Sequence, residues 1–125
     1  NWHSVNTGNL CPINWHVPTD AEWTLLTTYL GGEVIAGGKL KETGLSHWNS
    51  PNLGATNETG FTALPGGGRW SGASYADIGF GCNFWSATEK DINNSWSMGL
   101  TYVYGTFSKG YTLKVRGKSI RCIKD

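Results

Sequence analysis

Long apolar runs are missing from this chain. No stretch approaches the roughly 20 residues that a bilayer-spanning helix needs, so membrane insertion is not expected. The first residues, Asn1-Trp2-His3-Ser4, do not read as a signal peptide. Charge of one sign is equally scarce: ten Lys and Arg stand against nine Asp and Glu, a net of +1, and the basic residues are scattered. Without an electrostatic footprint, neither nucleic acid nor an anionic membrane is an expected partner. His3, His16 and His47 stand apart with no zinc-site spacing. There is no Gly-x-Ser-x-Gly turn, and Cys82 has no evident base nearby, so no catalytic residue is assigned and no enzyme activity is expected.

What is present in quantity is ring and glycine. Seven Trp and five Tyr against one Met require a core built on large flat side chains, whose indole N–H and phenol O–H groups still need partners. Eighteen Gly, with many Asn, Ser and Thr between the apolar residues, favour short strands and turns over long helices. A chain of 125 residues is long enough for one core and too short for two ordinary domains, so residues 1–125 are expected to form one unit.

The three cysteines leave one over, and counting does not fix the pairing. Cys11 and Cys122, each beside a segment expected to be ordered, are the favoured pair, which would place the domain in an oxidising compartment. Three buried thiols in a cytoplasmic protein are the alternative.

Local patterning predicts an α+β domain. Thr19, with Glu22 three residues on, is a capping box. Trp23, Leu26 and Leu30 follow at helical spacing, and Gly31-Gly32 give a left-handed stop. A second helical start at Glu33 is expected to be cut short by Gly37-Gly38, with Lys39-Leu40-Lys41 extended. Residues 42–91 read as a long loop region in which Gly66-Gly67-Gly68 is a turn. The last third reads as antiparallel strands over 84–88, 96–100, 102–104, 111–115 and 119–123.

Two clusters are candidates for binding. Glu89, Asp91, Asn93 and Asn94 carry the oxygen chemistry that calcium prefers, but not EF-hand spacing, and a solvated turn is the favoured reading, with no metal site assigned. Sugars present apolar faces bordered by hydroxyls, so their sites combine rings with amides. Trp70, Tyr75, Trp96, Tyr102, Tyr104 and Tyr111, with Asn93 and Asn94, supply that combination in the second half of the chain. Trp15, Trp23, Trp48 and Trp85 are expected in the core, and inward packing of Trp96 is weighed evenly.

Several segments resemble a known family. Cys11-Pro12, Trp15-His16-Val17-Pro18-Thr19, Glu22-Trp23, the run Ala36-Gly37-Gly38-Lys39-Leu40-Lys41-Glu42-Thr43-Gly44 and His47-Trp48 come first. Gly60-Phe61-Thr62-Ala63-Leu64-Pro65-Gly66-Gly67, Phe84-Trp85-Ser86-Ala87-Thr88-Glu89 and Ser119-Ile120-Arg121-Cys122-Ile123-Lys124-Asp125 follow in the same order. Together they are similar to the Fibrobacter succinogenes major paralogous domain of bacterial surface and secreted proteins, related to the C-type-lectin-like fold. The resemblance implies that the chain ends meet, that one or two helices flank a small twisted antiparallel sheet, and that a long loop region forms the distal face. It also favours the Cys11 to Cys122 pairing and leaves Cys82 unpaired. A start inside the family's first strand implies excision from a larger protein.

The calcium-binding Glu-Pro-Asn, Gln-Pro-Asp and Trp-Asn-Asp triplets of lectins are absent. The cysteines expected to pair staple the ends rather than form the catalytic pair of formylglycine-generating enzymes, which share the fold. The same fold serves some phages and bacteria as a diversified receptor-binding domain, and residues 93–111 resemble such a surface. The expected function is therefore a secreted or cell-surface recognition module, without cofactor, for a glycan or protein ligand. The alternative is a structural domain that self-associates within a larger surface or filamentous assembly.

Overall fold

The structure, a computed structural model, describes residues 1–125. In chain order its elements are α1 (Trp2–Val5), β1 (Trp15–His16), α2 (Asp20–Tyr29), α3 (Glu33–Leu40), β2 (Gly66–Arg69), β3 (Tyr75–Ile78), β4 (Gly81–Glu89), β5 (Asn94–Thr101), β6 (Ser108–Leu113) and β7 (Ile123–Lys124). The domain is α+β, as the sequence predicts.

Thr19 opens α2 through a complete capping box: its hydroxyl accepts from the Glu22 amide, and the Glu22 carboxylate accepts from the Thr19 amide. Trp23, Thr27 and Leu30 are buried, whereas Tyr29 is exposed. Gly31 and Gly32, both at φ 98°, end the helix as expected.

Gly37 and Gly38 do not stop α3, contrary to the sequence reading. A Cβ on Gly37 would meet the Thr106 carbonyl at 2.2 Å, and one on Gly38 would meet the Gly54 carbonyl at 2.2 Å. These glycines let two loops approach the helix, a requirement set by distant backbone. Gly66-Gly67-Gly68 is likewise no turn but the start of β2. Strand β2 lies between β3 and β4, and a Cβ on Gly67 would meet the Ala76 carbonyl at 2.1 Å.

The main sheet has the order β3-β2-β4-β5-β6. It is mixed rather than purely antiparallel, because β2 runs parallel to β4 through the Gly67 to Cys82 pairing. Residues 102–107 form a loop rather than a strand, and β6 begins at Ser108. The C-terminal segment contributes isolated bridges at Gly117 and Ser119 before β7 pairs with β1. The first residues form the helix α1, not a strand. Cys11 and Cys122 form a disulfide across 111 residues, so the chain ends meet. Cys82 is free and buried, and burial pushes its thiol up to about 12 against the pull of Lys41 and Arg121.

Each face of the sheet carries its own core. Trp23, Leu40, Trp48, Phe84, Met98, Leu100 and Phe107 belong to the larger cluster, under α2 and α3. Trp2, Val5, Val17 and Trp85 form the smaller one, where α1 packs on the opposite face. Trp15, expected inside, is 42% exposed.

The long loop is held from within by Lys41. Its ammonium is fully buried and donates to the carbonyls of Leu53, Thr101 and Tyr104 at 2.9, 3.0 and 2.9 Å. A buried cation is tolerated only when it is solvated by protein in this way.

Candidate functional site

Alternation along β4, β5 and β6 sends Phe84, Met98 and Leu100 toward α2 and leaves their neighbours on the other face. There Asn83 opposes Gly99, and Gly99 opposes Ser108; one step along, Trp85 opposes Ser97 and Ser97 opposes Gly110. Helix α1 covers the Trp85 end of this face. The rest is an open floor of small and polar residues.

Packing does not explain all of that smallness. A Cβ on Gly99 would press on the Asn83 side chain at 3.0 Å, but one on Gly110 would meet nothing within 4 Å. The space above Gly110 is a hollow of about 270 Å³ that also includes Asn83, Ser97, Ser108 and Lys118. A second hollow, of about 320 Å³, is lined by Gly66, Gly68, Arg69, Tyr75 and Lys118. Lys118 thus stands where the two hollows meet.

Lys118 is held there by the bridges of its neighbours. Gly117 pairs with Arg69, and Ser119 pairs with Phe84, which fixes the intervening side chain over the sheet. Its Nζ donates to the Ser97 Oγ at 3.2 Å and lies 5.5 Å from the centre of the Trp85 ring. Burial, and then the nearby Arg116 guanidinium, lower the Lys118 ammonium to about 8. The Arg116 guanidinium carbon lies over the Trp70 ring, 4.4 Å from its centre, and the buried Nε has no acceptor. Ion pairs occupy Lys39, Lys90, Lys109 and Lys114, but none involves Arg69, Arg116 or Lys118. Asp77 lines the narrow space between these cations without pairing to any of them.

The aromatic residues singled out in the sequence do not converge on one face. Trp70 and Tyr75 flank the cationic end of the open face, and Tyr75 is 76% exposed. Trp96 and Tyr111 are cross-strand partners on the other face, edge to face at 5.9 Å. Lys90 lies over the Tyr111 ring at 4.1 Å and Lys109 over Trp96 at 4.4 Å, with Lys109 also bound to Asp20 of α2. Tyr102 is half-buried against Phe80 and the larger core. Tyr104 is exposed in the loop held by Lys41.

Asn93 and Asn94 lie at the β4–β5 turn. The Asp91 carboxylate accepts from both of their amides and from the Asn94 side chain. Those bonds, with the Asn93 amide first, hold the Asp91 carboxyl down at about 2. No group of three or more His, Cys, Asp and Glu side chains is placed to hold a metal ion.

Asn83, Ser97, Gly110, Arg116 and Lys118 were not singled out from the sequence. The only signal was a pair of short cationic pieces, Arg69-Trp70 and Arg116-Gly117-Lys118, that an overall charge of +1 conceals.

Comparison with protein families matches residues 1–124 to the Fibrobacter succinogenes major domain. Neither the curated proteins nor the solved structures yield a match.

Proposed function

The chain belongs to the Fibrobacter succinogenes major domain family, and from that premise we propose that it is a non-catalytic recognition module of a secreted or cell-surface protein, C-type-lectin-like in fold, that binds a glycan. The single observation that carries this reading is the open sheet face, where two hollows of about 270 and 320 Å³ meet at Lys118. A groove floored by Gly, Ser and Asn offers hydrogen bonds and little apolar anchorage. That suits a hydroxyl-rich ligand better than a peptide, which binds through buried apolar side chains. Tyr75, exposed in the second hollow, supplies a ring face for sugar C–H groups, while Trp70 beside it carries the Arg116 guanidinium. The meeting of the chain ends, the flanking helices and the long loop support the C-type-lectin-like assignment. The disulfide supports an oxidising compartment, and no helix is long and apolar enough to cross a membrane.

A glycan-array screen of the domain, run with calcium and again with a chelator, tests this reading. Specific binding in both conditions is expected, because the groove draws on no metal-ligand cluster. A blank array in both conditions would remove the glycan reading.

A second reading, a structural domain within a larger assembly, is favoured by one different observation. An apolar hollow of about 630 Å³ runs along α2, lined by Pro18, Leu25, Leu26, Tyr29, Phe61 and Ile123. Leu25 is 70% exposed and Tyr29 84%. Sedimentation velocity separates the two: self-association that is lost in Leu25→Asp supports assembly, and a monomer at all concentrations counts against it.

A further inference from the structure

We infer that the glycan bound across the open face is acidic, with its carboxylate or sulfate seated against Lys118 between the two hollows. This rests on the recognition reading above and deepens it by naming the ligand class.

The fold leaves a local concentration of positive charge without an ion-pair partner. Lys118 is drawn down onto the sheet beside the Arg116 guanidinium, and its one hydrogen-bond partner is the Ser97 hydroxyl. An ammonium has three donors, so two remain for a ligand. Two like charges placed together at half-buried positions raise each other's energy, and folded proteins ordinarily offset such a pair with a carboxylate. Here none is bound: Asp77, the one acid lining the same space, makes no ion pair. An anion arriving from outside would be that missing counter-charge.

Arg116 adds direction as well as charge. Its guanidinium carbon lies 4.4 Å from the centre of the Trp70 ring, and the fork of donors that any guanidinium presents in one plane suits an acid group with paired oxygens. Arg69 lines the second hollow and adds a third positive charge on the same side. The chain's small net charge conceals this concentration, because the remaining acids lie elsewhere or are paired.

An acidic sugar chain fits the shape better than an acidic peptide. Hollows lie on both sides of Lys118, so a polymer can place sugar rings in both and its acid group between them. Neither hollow offers an apolar pocket for a peptide's anchor side chain.

The test uses biolayer interferometry of the domain on polygalacturonate, on its methyl ester, on a sulfated galactan (carrageenan) and on poly-glutamate, in buffered physiological salt. Binding to polygalacturonate, carrageenan or both is expected, and the preferred polymer identifies the acid group. Esterification should weaken polygalacturonate binding at least tenfold, as should Lys118→Met, whereas Lys124→Gln, which removes a cation far from the groove, should leave binding within twofold. If Lys118→Met fails to fold, the ester comparison on the unaltered protein still decides for polygalacturonate, and agarose, the unsulfated galactan, takes that place for carrageenan.

Equal binding of the acid and its neutral counterpart would overturn the inference, and so would equal losses in the two variants. Tighter binding to poly-glutamate would replace the glycan with an acidic peptide. Binding only to neutral glycans on the array would overturn the acid requirement and leave the recognition reading standing. No binding to any glycan would remove both.

Discussion

The Lys41 ammonium donates to the main-chain oxygen of Tyr104 at 2.9 Å, across 63 residues of chain. Two further carbonyls, of Leu53 and Thr101, complete its shell, so one side chain ties the end of α3 to both loops that pack on it. Replacing it with methionine keeps the volume and removes the donors. Each buried carbonyl left without a partner costs on the order of 1–3 kcal/mol, partly offset because no charge is then buried. Lys41→Met should therefore lower stability by about 3 kcal/mol in a denaturant titration, with loosening first at 102–107. A loss below about 1 kcal/mol would mean that water replaces the ammonium.

How much of this was readable beforehand depends on the range of the interaction. The α2 start was legible because a capping box is closed within four residues, Thr19 to Glu22. The Cys11 to Cys122 bridge was only the favoured pairing, from two segments expected to be ordered and from the family resemblance, with three free thiols as the alternative until the structure joined the two. Gly37-Gly38 and Gly66-Gly67-Gly68 were misread because glycine serves turns and close approaches alike. What decides between them is a carbonyl of Thr106, Gly54 or Ala76, which no local window contains. The candidate site was harder still. Lys118 matters because Ser97 and Trp85 lie beneath it, and those contacts exist only once β4, β5 and the C-terminal segment are side by side.

His16 links the helix cap to the C-terminal segment, with Nε2 2.9 Å from Glu22 and Nδ1 2.6 Å from Asp125. The hydrogen bond to Asp125, and then that to Glu22, raise its pKa above 6.5. A group whose pKa is raised on folding gives stability that is complete below the unfolded value and fades as pH rises through the folded one. The Tm advantage of the unaltered protein over His16→Ala should thus be larger at pH 5.5 than at pH 8.5. Equal advantages at the two pH values would show that the ring acts by packing alone. Both acids are partly exposed, so the effect should also shrink in salt.

The cysteines give a mass-spectrometric prediction. With Cys11 and Cys122 joined and Cys82 buried, alkylation without reductant should leave the native domain unmodified and add one group after denaturation. Three groups after denaturation would contradict the bridge. Reduction releases a closed loop of about 110 residues, which on chain-entropy grounds removes up to about 4–5 kcal/mol of stability. That is enough to melt many domains of this size well below their oxidised Tm.

Two glycines of the sheet should respond in opposite ways to a larger residue. Gly67, at φ 62° with a carbonyl 2.1 Å from where its Cβ would be, has no room, and Gly67→Ala should unfold the domain or move β3 away. Gly110 lies in a regular strand with nothing within 4 Å of its Cβ position, and strand residues other than glycine are favoured there by backbone entropy. Gly110→Phe should accordingly leave Tm unchanged or raise it, while its ring fills the hollow between Ser97 and Ser108 and weakens glycan binding at least tenfold. The comparison separates a glycine kept for folding from one kept to leave space. If Gly110→Phe binds as well as the unaltered domain, the ligand lies elsewhere, with Trp96 and Tyr111 on the opposite face the next place to substitute.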